Sequence, residues 1–325
     1  LLVAVVALVQ ALDPVYGVWL VLRVLQGLLL VGLYAIIESW LNAVAEPAHR
    51  GSVFAVYMMV NLAASATAQQ LLRIPGEGFV LFCVVAILFC AASLPVVLTT
   101  QPQPQLRSMP KVQVRRLFRL APTALVSAFI SGLVLGAFWG LLPLYAAARG
   151  LGAGDIGTYM SAAIAGGVVL QWPLGRFSDR IDRRLALSLI SVVAALAAVV
   201  NLLLPAAGGA VAMVVIFVFG GMSFTLYPIA VAHLVDYLHR DELLSASSTV
   251  LLVNGVGSAV GPLLAGALMY LLRPELLFVW FAVLDGALAA YALYRFTRRK
   301  REVTPDDNFV PLVNTTPTAL DPRAP

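Results

Sequence analysis

The densest cluster of reactive side chains in the sequence is the decapeptide GRFSDRIDRR, residues 175–184. It places Arg176, Arg180, Arg183 and Arg184 beside Asp179 and Asp182, behind Gly175, a residue that permits a tight turn. A basic stop signal at a helix end needs only the charge and does not require Gly175, Asp179 and an Arg pair at fixed spacing. A second group, Arg23, Gln26, Gly27, Tyr34 and Glu38, falls within roughly 120° of arc at about 100° per residue. Such a stripe lines a cavity that binds an anionic group or tunes a nearby acid; the alternative for Arg23 is snorkelling to a membrane surface. Asn61 and Ser65 share a face with Tyr57 and Gln69, and Asn254 shares one with Ser258. Either they line a cavity or they hydrogen-bond between helices. Tyr227 precedes Pro228, which frees a backbone carbonyl and allows a bend.

Two carboxylates stand apart from these groups. Asp285 lies about ten residues into an apolar run, where an ionisable group is a proton-coupling candidate or is held by a structural hydrogen bond as a neutral acid. Glu38 sits near a helix end, as a coupling group or an ordinary ion pair. His49, His233 and His239 have no ligand spacing, although His233 stands three before Asp236 and can pair with it. Cys83 and Cys90 are seven apart in one run, too far to bridge. No phosphate loop, Ser/His/Asp order or zinc motif is present, so no catalytic set, metal or cofactor is expected.

The elements that must position these residues are set by composition. Of 325 residues, 61% are apolar and 11% charged, with mean hydropathy +0.93. A soluble domain has about 25% charged residues, which excludes a water-soluble globule. The net charge of +5 is then explained by a membrane surface, not nucleic acid. Ten apolar runs, at 1–12, 17–43, 52–72, 78–98, 121–147, 154–174, 185–205, 209–237, 243–272 and 275–296, are expected as helices, because backbone in lipid must bond internally. The fold class is all-α and polytopic.

Sorted by alternate loops, sixteen basic residues lie on one side and three (Arg73, Arg149, Arg273) on the other. Basic loops stay cytoplasmic, so both ends of this chain are expected there. Residues 99–120 read as an extended cytoplasmic linker, with Pro-Gln repeats and then Arg107, Lys111, Arg115, Arg116 and Arg119 suited to an anionic leaflet. Residues 297–325 read as a disordered tail. The chain thus divides into four spans (1–98), a linker and six spans (121–296). At an offset of 193, residues 17–72 match the later spans at thirteen positions, including Gly27/Gly220, Tyr34/Tyr227, Asn61/Asn254 and Ser65/Ser258. Internal repeats of this kind characterise secondary transporters.

The 175–184 string resembles the cytoplasmic loop motif of the major facilitator superfamily, Gly-x-x-x-Asp-Arg-x-x-Arg-Arg. Arg23-Val-Leu-Gln26-Gly27 resembles the family's fourth-helix Arg-x-x-Gln-Gly motif. Gly257-Ser-Ala-Val-Gly261-Pro262-Leu-Leu-Ala-Gly266 resembles its antiporter-type pattern, here in the second half. The strings at 37–42 and 171–184 are similar to the YcaD-like branch. The resemblance implies twelve helices in two bundles, of which ten are present and the first two missing, so that 1–98 is the remainder of the first bundle. It also implies that Gly175, Asp179, Arg180, Arg183 and Arg184 latch one side shut. Asp179 would face the start of the third span near Ser52, and one arginine would pair with Asp236.

The expected function is secondary transport of a small solute in a bacterial inner (plasma) membrane by alternating access. Proton coupling through Glu38 or Asp285 is expected, and export by antiport; the cavity residues are Arg23, Gln26, Tyr34, Asn61, Tyr227 and Asn254. The expected partners are the lipid bilayer, the solute and protons, with no nucleic acid and a monomeric state. The alternatives are a membrane enzyme acting on a lipid-linked substrate, and a transport-incompetent fragment.

Overall fold

The computed structural model describes residues 1–12, 15–44, 50–74, 78–98, 113–204, 209–238 and 242–298. The expectations for residues 99–112, for the tail beyond 298, and for His49 and His239 lie outside the described residues. The described chain is helical, with no strand among the described residues. In order the helices are α1 (Leu2–Leu12), α2 (Tyr16–Val44), α3 (Arg50–Ala68), a 3₁₀ turn (Gln69–Arg73), α4 (Gly78–Leu98), α5 (Val114–Leu120), α6 (Pro122–Ala148), α7 (Ala153–Arg180), α8 (Arg183–Leu203), α9 (Ala210–Val235), α10 (Leu243–Leu271) and α11 (Leu276–Arg298). Eight of them are long and apolar enough to cross a membrane; α1 and α3 are not in that set.

Two departures from the sequence expectation matter later. The run expected as one helix over 52–72 breaks into α3 and the 3₁₀ turn. The linker, expected to be extended to its end, closes with α5, whose Leu117 is buried among Ala121, Ala124, Leu125, Ala246 and Val250.

Lipid offers no hydrophobic drive for apolar helices to associate, so close packing must hold them together. In the second group of helices, α6–α11, glycines allow that closeness. Gly132 and Gly136 of α6 lie against the backbone of Asn254 and Ser258 on α10, and Gly257 and Gly261 of α10 lie against Phe129 and Leu133 of α6. Gly166 of α7 meets Phe217, and Gly220 of α9 meets Ala163. A Cβ at any of these six sites would come within 3.0 Å of backbone, closer than real contacts allow. Phe138, Tyr145, Phe219, Phe278 and Phe281 fill the core between these seams.

The repeat seen in the sequence is also visible in the packing. α8 pairs with α11, and α1, the counterpart of the far half of α8, pairs with α4. α9 and α10 are covered by α7 and α6, whereas among the described residues α2 meets α1 and, more weakly, α3, and α3 meets α7. Gly27 therefore has nothing within 4 Å of its would-be Cβ, while its counterpart Gly220 is tightly packed.

Candidate functional site

The end of the structure carrying residues 175–184 is called here the motif end, and the opposite one the far end. At the motif end α7 runs unbroken through Gly175 to Arg180, so Gly175 makes no turn. The break falls at Ile181–Asp182, where Asp182 caps α8 by accepting the Arg184 N–H at 2.9 Å. Arg184 donates to both Asp182 oxygens, at 3.0 and 2.7 Å, and to the Arg295 carbonyl at 3.1 Å. Burial works against the Asp182 charge, but the hydrogen bonds and charge of Arg184 outweigh it and hold the carboxyl below the usual carboxylate range.

Arg183 is the hub of the motif. It donates to Asp179 at 2.9 Å, to Asp236 at 2.8 Å and to Ser178 at 3.1 Å. Of the three arginines expected to reach Asp236, it is Arg183 that does so. Asp179 faces Arg183 across one helix break, and the side chains at the start of α3, around Ser52, lie outside those described. Arg180 is exposed. His233, expected beside Asp236, packs edge-on against Tyr237, with ring centroids 5.2 Å apart.

At the far end the two helix groups are joined by residues the sequence reading missed. Gln70 of the 3₁₀ turn donates to Ser161 of α7 at 2.6 Å, and Ser161 donates to the Ala66 carbonyl at 2.7 Å. Arg73 donates to Thr158 at 2.5 Å. The approach is close because Gly157 of α7 presses its bare Cα against the Gln69 carbonyl, leaving no room for a Cβ. This clasp holds α3 and α7 together at the far end, whereas the described ion pairs Arg183–Asp179, Arg183–Asp236 and Arg184–Asp182 lie within α7–α9.

The six cavity candidates have separate surroundings among the described residues. Arg23 is exposed, donates to Gln26 at 2.9 Å and lies over Trp19 at 5.3 Å; Tyr34 is 45% exposed. Asn61 is half-buried, and its carbonyl accepts from Ser65 at 2.8 Å. Tyr227 is half-buried in the motif-end cluster of α9. Asn254 donates its amide to the Ala128 carbonyl at 2.9 Å, tying α10 to α6. The Glu38 side chain lies outside those described.

Asp285 is wholly buried, and among the described residues neither oxygen has a hydrogen-bond partner. The bonds Arg184–Arg295 and Ser188–Ala289 run along the antiparallel α8–α11 contact. Their register brings Ser191, another buried hydroxyl without a partner, to the depth of Asp285. No cluster of three His, Cys, Asp or Glu able to hold a metal is found among the described residues, and Cys83 and Cys90 are free thiols.

Comparison with known proteins fits this arrangement. The family model described as Major Facilitator Superfamily matches residues 1–230 and 124–317. The chain is 30% identical over 267 residues to proteins named uncharacterised MFS-type transporter YcaD in Salmonella paratyphi B and Salmonella newport, covering 81% of this chain and 69% of theirs. Its fold is similar to that of the E. coli fucose:proton symporter FucP, with a TM-score of 0.53 at 15% identity, covering 92% of this chain and 81% of that one. Helices joined by glycine seams, an Asp/Arg loop between two of them and sequence likeness along most of the chain lead to one assignment: the chain belongs to the Major Facilitator Superfamily.

Proposed function

We propose that the chain carries a small solute across the bacterial inner membrane as a monomeric secondary transporter working by alternating access, with the motif end in the cytoplasm. The observation behind this reading is the asymmetry of its two ends. Gln70, Arg73, Gly157, Thr158 and Ser161 hold the helix groups together at the far end. At the motif end, Arg183 spends its hydrogen bonds inside one group. With its described ties between the helix groups at the far end, the chain is read as standing in the inward-open half of a transport cycle. Transfer of Asp179 or Arg183 to partners on α3 would close the motif end as the clasp opens, a population shift between two states.

Proton coupling rests on Asp285, a buried carboxyl in the membrane core without a partner among the described residues, with Glu38 as the second candidate. Export by exchange with protons rests on the antiporter-type Gly257–Gly266 string. The candidates for contact with solute are Arg23, Gln26, Tyr34, Asn61 and Tyr227; Asn254 contributes through its hold on α6.

The test uses proteoliposomes containing the chain and a trapped pH-sensitive dye, with a panel of anionic, cationic and neutral solutes. The expected result is counterflow of at least one solute accompanied by proton movement, with the proton movement lost in Asp285→Asn. Absence of counterflow across the panel overturns the transport reading. Counterflow without proton movement overturns the coupling alone.

A further inference from the structure

We propose that α5 builds a binding site for the phosphate group of an anionic lipid headgroup. Leu117, 2% exposed, pins the helix against α6, α9 and α10. At about 100° per residue, Arg115 and Arg119 then point away from that contact, with Arg116 beside them and Phe118 and Val114 on the flank. A shallow, open depression of about 580 Å³ lies on this side, lined by Arg115, Arg116, Arg119 and Leu120. Arg116 is oriented by Gln113 at 3.0 Å and by an ion pair with Glu242 before α10. Arg115 and Arg119 have no ion-pair or hydrogen-bond partner among the described residues, so three guanidinium groups face one carboxylate.

Convergent guanidinium groups are suited to phosphate oxygens, which accept charge-assisted hydrogen bonds. The source of the phosphate is argued from what surrounds it. Phe118 is 50% exposed and Val114 41% exposed on the same short helix. α5 enters the membrane-length helix α6 across a single residue, Ala121. A helix with a basic face, exposed apolar flanks and a position at the end of a membrane span lies in the bilayer interface, among headgroups. A soluble phosphate compound would leave Phe118 and Val114 in water; a lipid covers them with its acyl chains.

The site also has a mechanical output. The Gln113 N–H donates to Thr249 at 3.1 Å, and Arg116 holds Glu242, so α5 touches the beginning of α10 twice. A phosphate that competes with Glu242 for Arg116 loosens one of those two ties. The lipid thereby acts on the helix whose glycines form the seam with α6.

The test measures lipid retention by native mass spectrometry of the purified, delipidated chain, with phosphatidylglycerol, phosphatidylcholine or inorganic phosphate added. Phosphatidylglycerol is expected to bind in preference to phosphatidylcholine and to resist displacement by inorganic phosphate. Arg115→Gln/Arg119→Gln is expected to weaken phosphatidylglycerol binding about thirtyfold, each basic side chain contributing roughly fivefold. Arg273→Gln/Arg298→Gln, which removes two exposed charges elsewhere, is expected to change nothing; equal elution profiles show that both variants fold. Equal retention of the two lipids, equal loss in both double variants, or unchanged binding in Arg115→Gln/Arg119→Gln overturns the site. Displacement by inorganic phosphate overturns the lipid as its ligand.

Discussion

The clasp at the far end makes a quantitative prediction for Gly157→Ala. A Cβ at this position would stand less than 3.0 Å from the Gln69 backbone oxygen. Because ordinary carbon contacts begin near 3.5 Å, α7 and the 3₁₀ turn must part by about 1 Å. The bonds Gln70–Ser161, Ser161–Ala66 and Arg73–Thr158 measure 2.6, 2.7 and 2.5 Å. Stretched by about 1 Å they pass the useful range of a hydrogen bond. Three bonds at about 1 kcal/mol each amount to roughly 3 kcal/mol, or about a hundredfold in the ratio of clasped to open states. Spin labels at Phe79→Cys on α4 and Val211→Cys on α9, both exposed at the far end, report this as a distance distribution once Cys83 and Cys90 are replaced by serine. The expected result is a longer population in Gly157→Ala. Gly286→Ala, where a Cβ meets nothing within 4 Å, should leave the distribution as it was. If Gly157→Ala gives the unaltered distribution, the far-end contact is not a gate and the reasoning fails.

Other substitutions test separate parts of the structure. Arg183→Met removes the hydrogen bonds to Asp179 and Asp236 and should lower the melting temperature in detergent by an amount equivalent to about 1–3 kcal/mol; Asp236→Asn should recover less than half of the wild-type margin when combined with it. The carboxyl of Asp182 is held below the usual range by Arg184, so its contribution to stability is complete above the unfolded value and is lost only as pH falls through the lower folded one. Thermal stability attributable to Asp182, read as the difference from Asp182→Ala, should therefore be flat from pH 8 to pH 5 and shrink under stronger acid; at neutral pH the lost cap costs about 1 kcal/mol. Gly166→Ala places a Cβ against the Phe217 carbonyl in the α7–α9 seam and should cost about 1–3 kcal/mol or more from overpacking, seen as loss of a monodisperse elution peak. A stable Gly166→Ala protein would show that the seam is looser than the backbone distances imply.

What was legible in the sequence follows from the solvent. In lipid a long apolar run has no alternative to a helix, so the runs at 121–147, 185–205 and 275–296 appear as α6, α8 and α11 within a few residues. That one of Arg180, Arg183 and Arg184 would meet Asp236 was an expectation carried by the family resemblance, and it is Arg183 that makes the contact. Glycine was not legible in the same way. Gly27 and Gly220 are equivalent in sequence, yet one faces open space and the other a backbone, because their roles are set by the helix opposite. Gly175 suggested a turn, but the helix end is dictated by the Asp182 cap seven residues further on. The clasp escaped notice because Gln70 and Ser161 are 91 residues apart, and neither residue type implies a partner by itself. α5 was hidden because Pro-Gln repeats before it set the character of the whole linker, while a single buried Leu117 decides its end.

In the proposed alternating-access cycle, the tight fit of Gly166 against α9 would serve as a fulcrum. α7 carries the clasp at Gly157 and the motif at Asp179, on opposite sides of that point. The arms are nine and thirteen residues long, so a helix tilting about Gly166 turns 1 Å at the clasp into about 1.4 Å at Asp179. In that cycle the two ends of the helix would thus be geared, with a ratio written in residue spacing and independent of the loops. Lengthening the 149–152 connection should slow neither end with respect to the other, whereas moving the glycine by one helical turn would change the ratio and leave one gate out of step with its opposite.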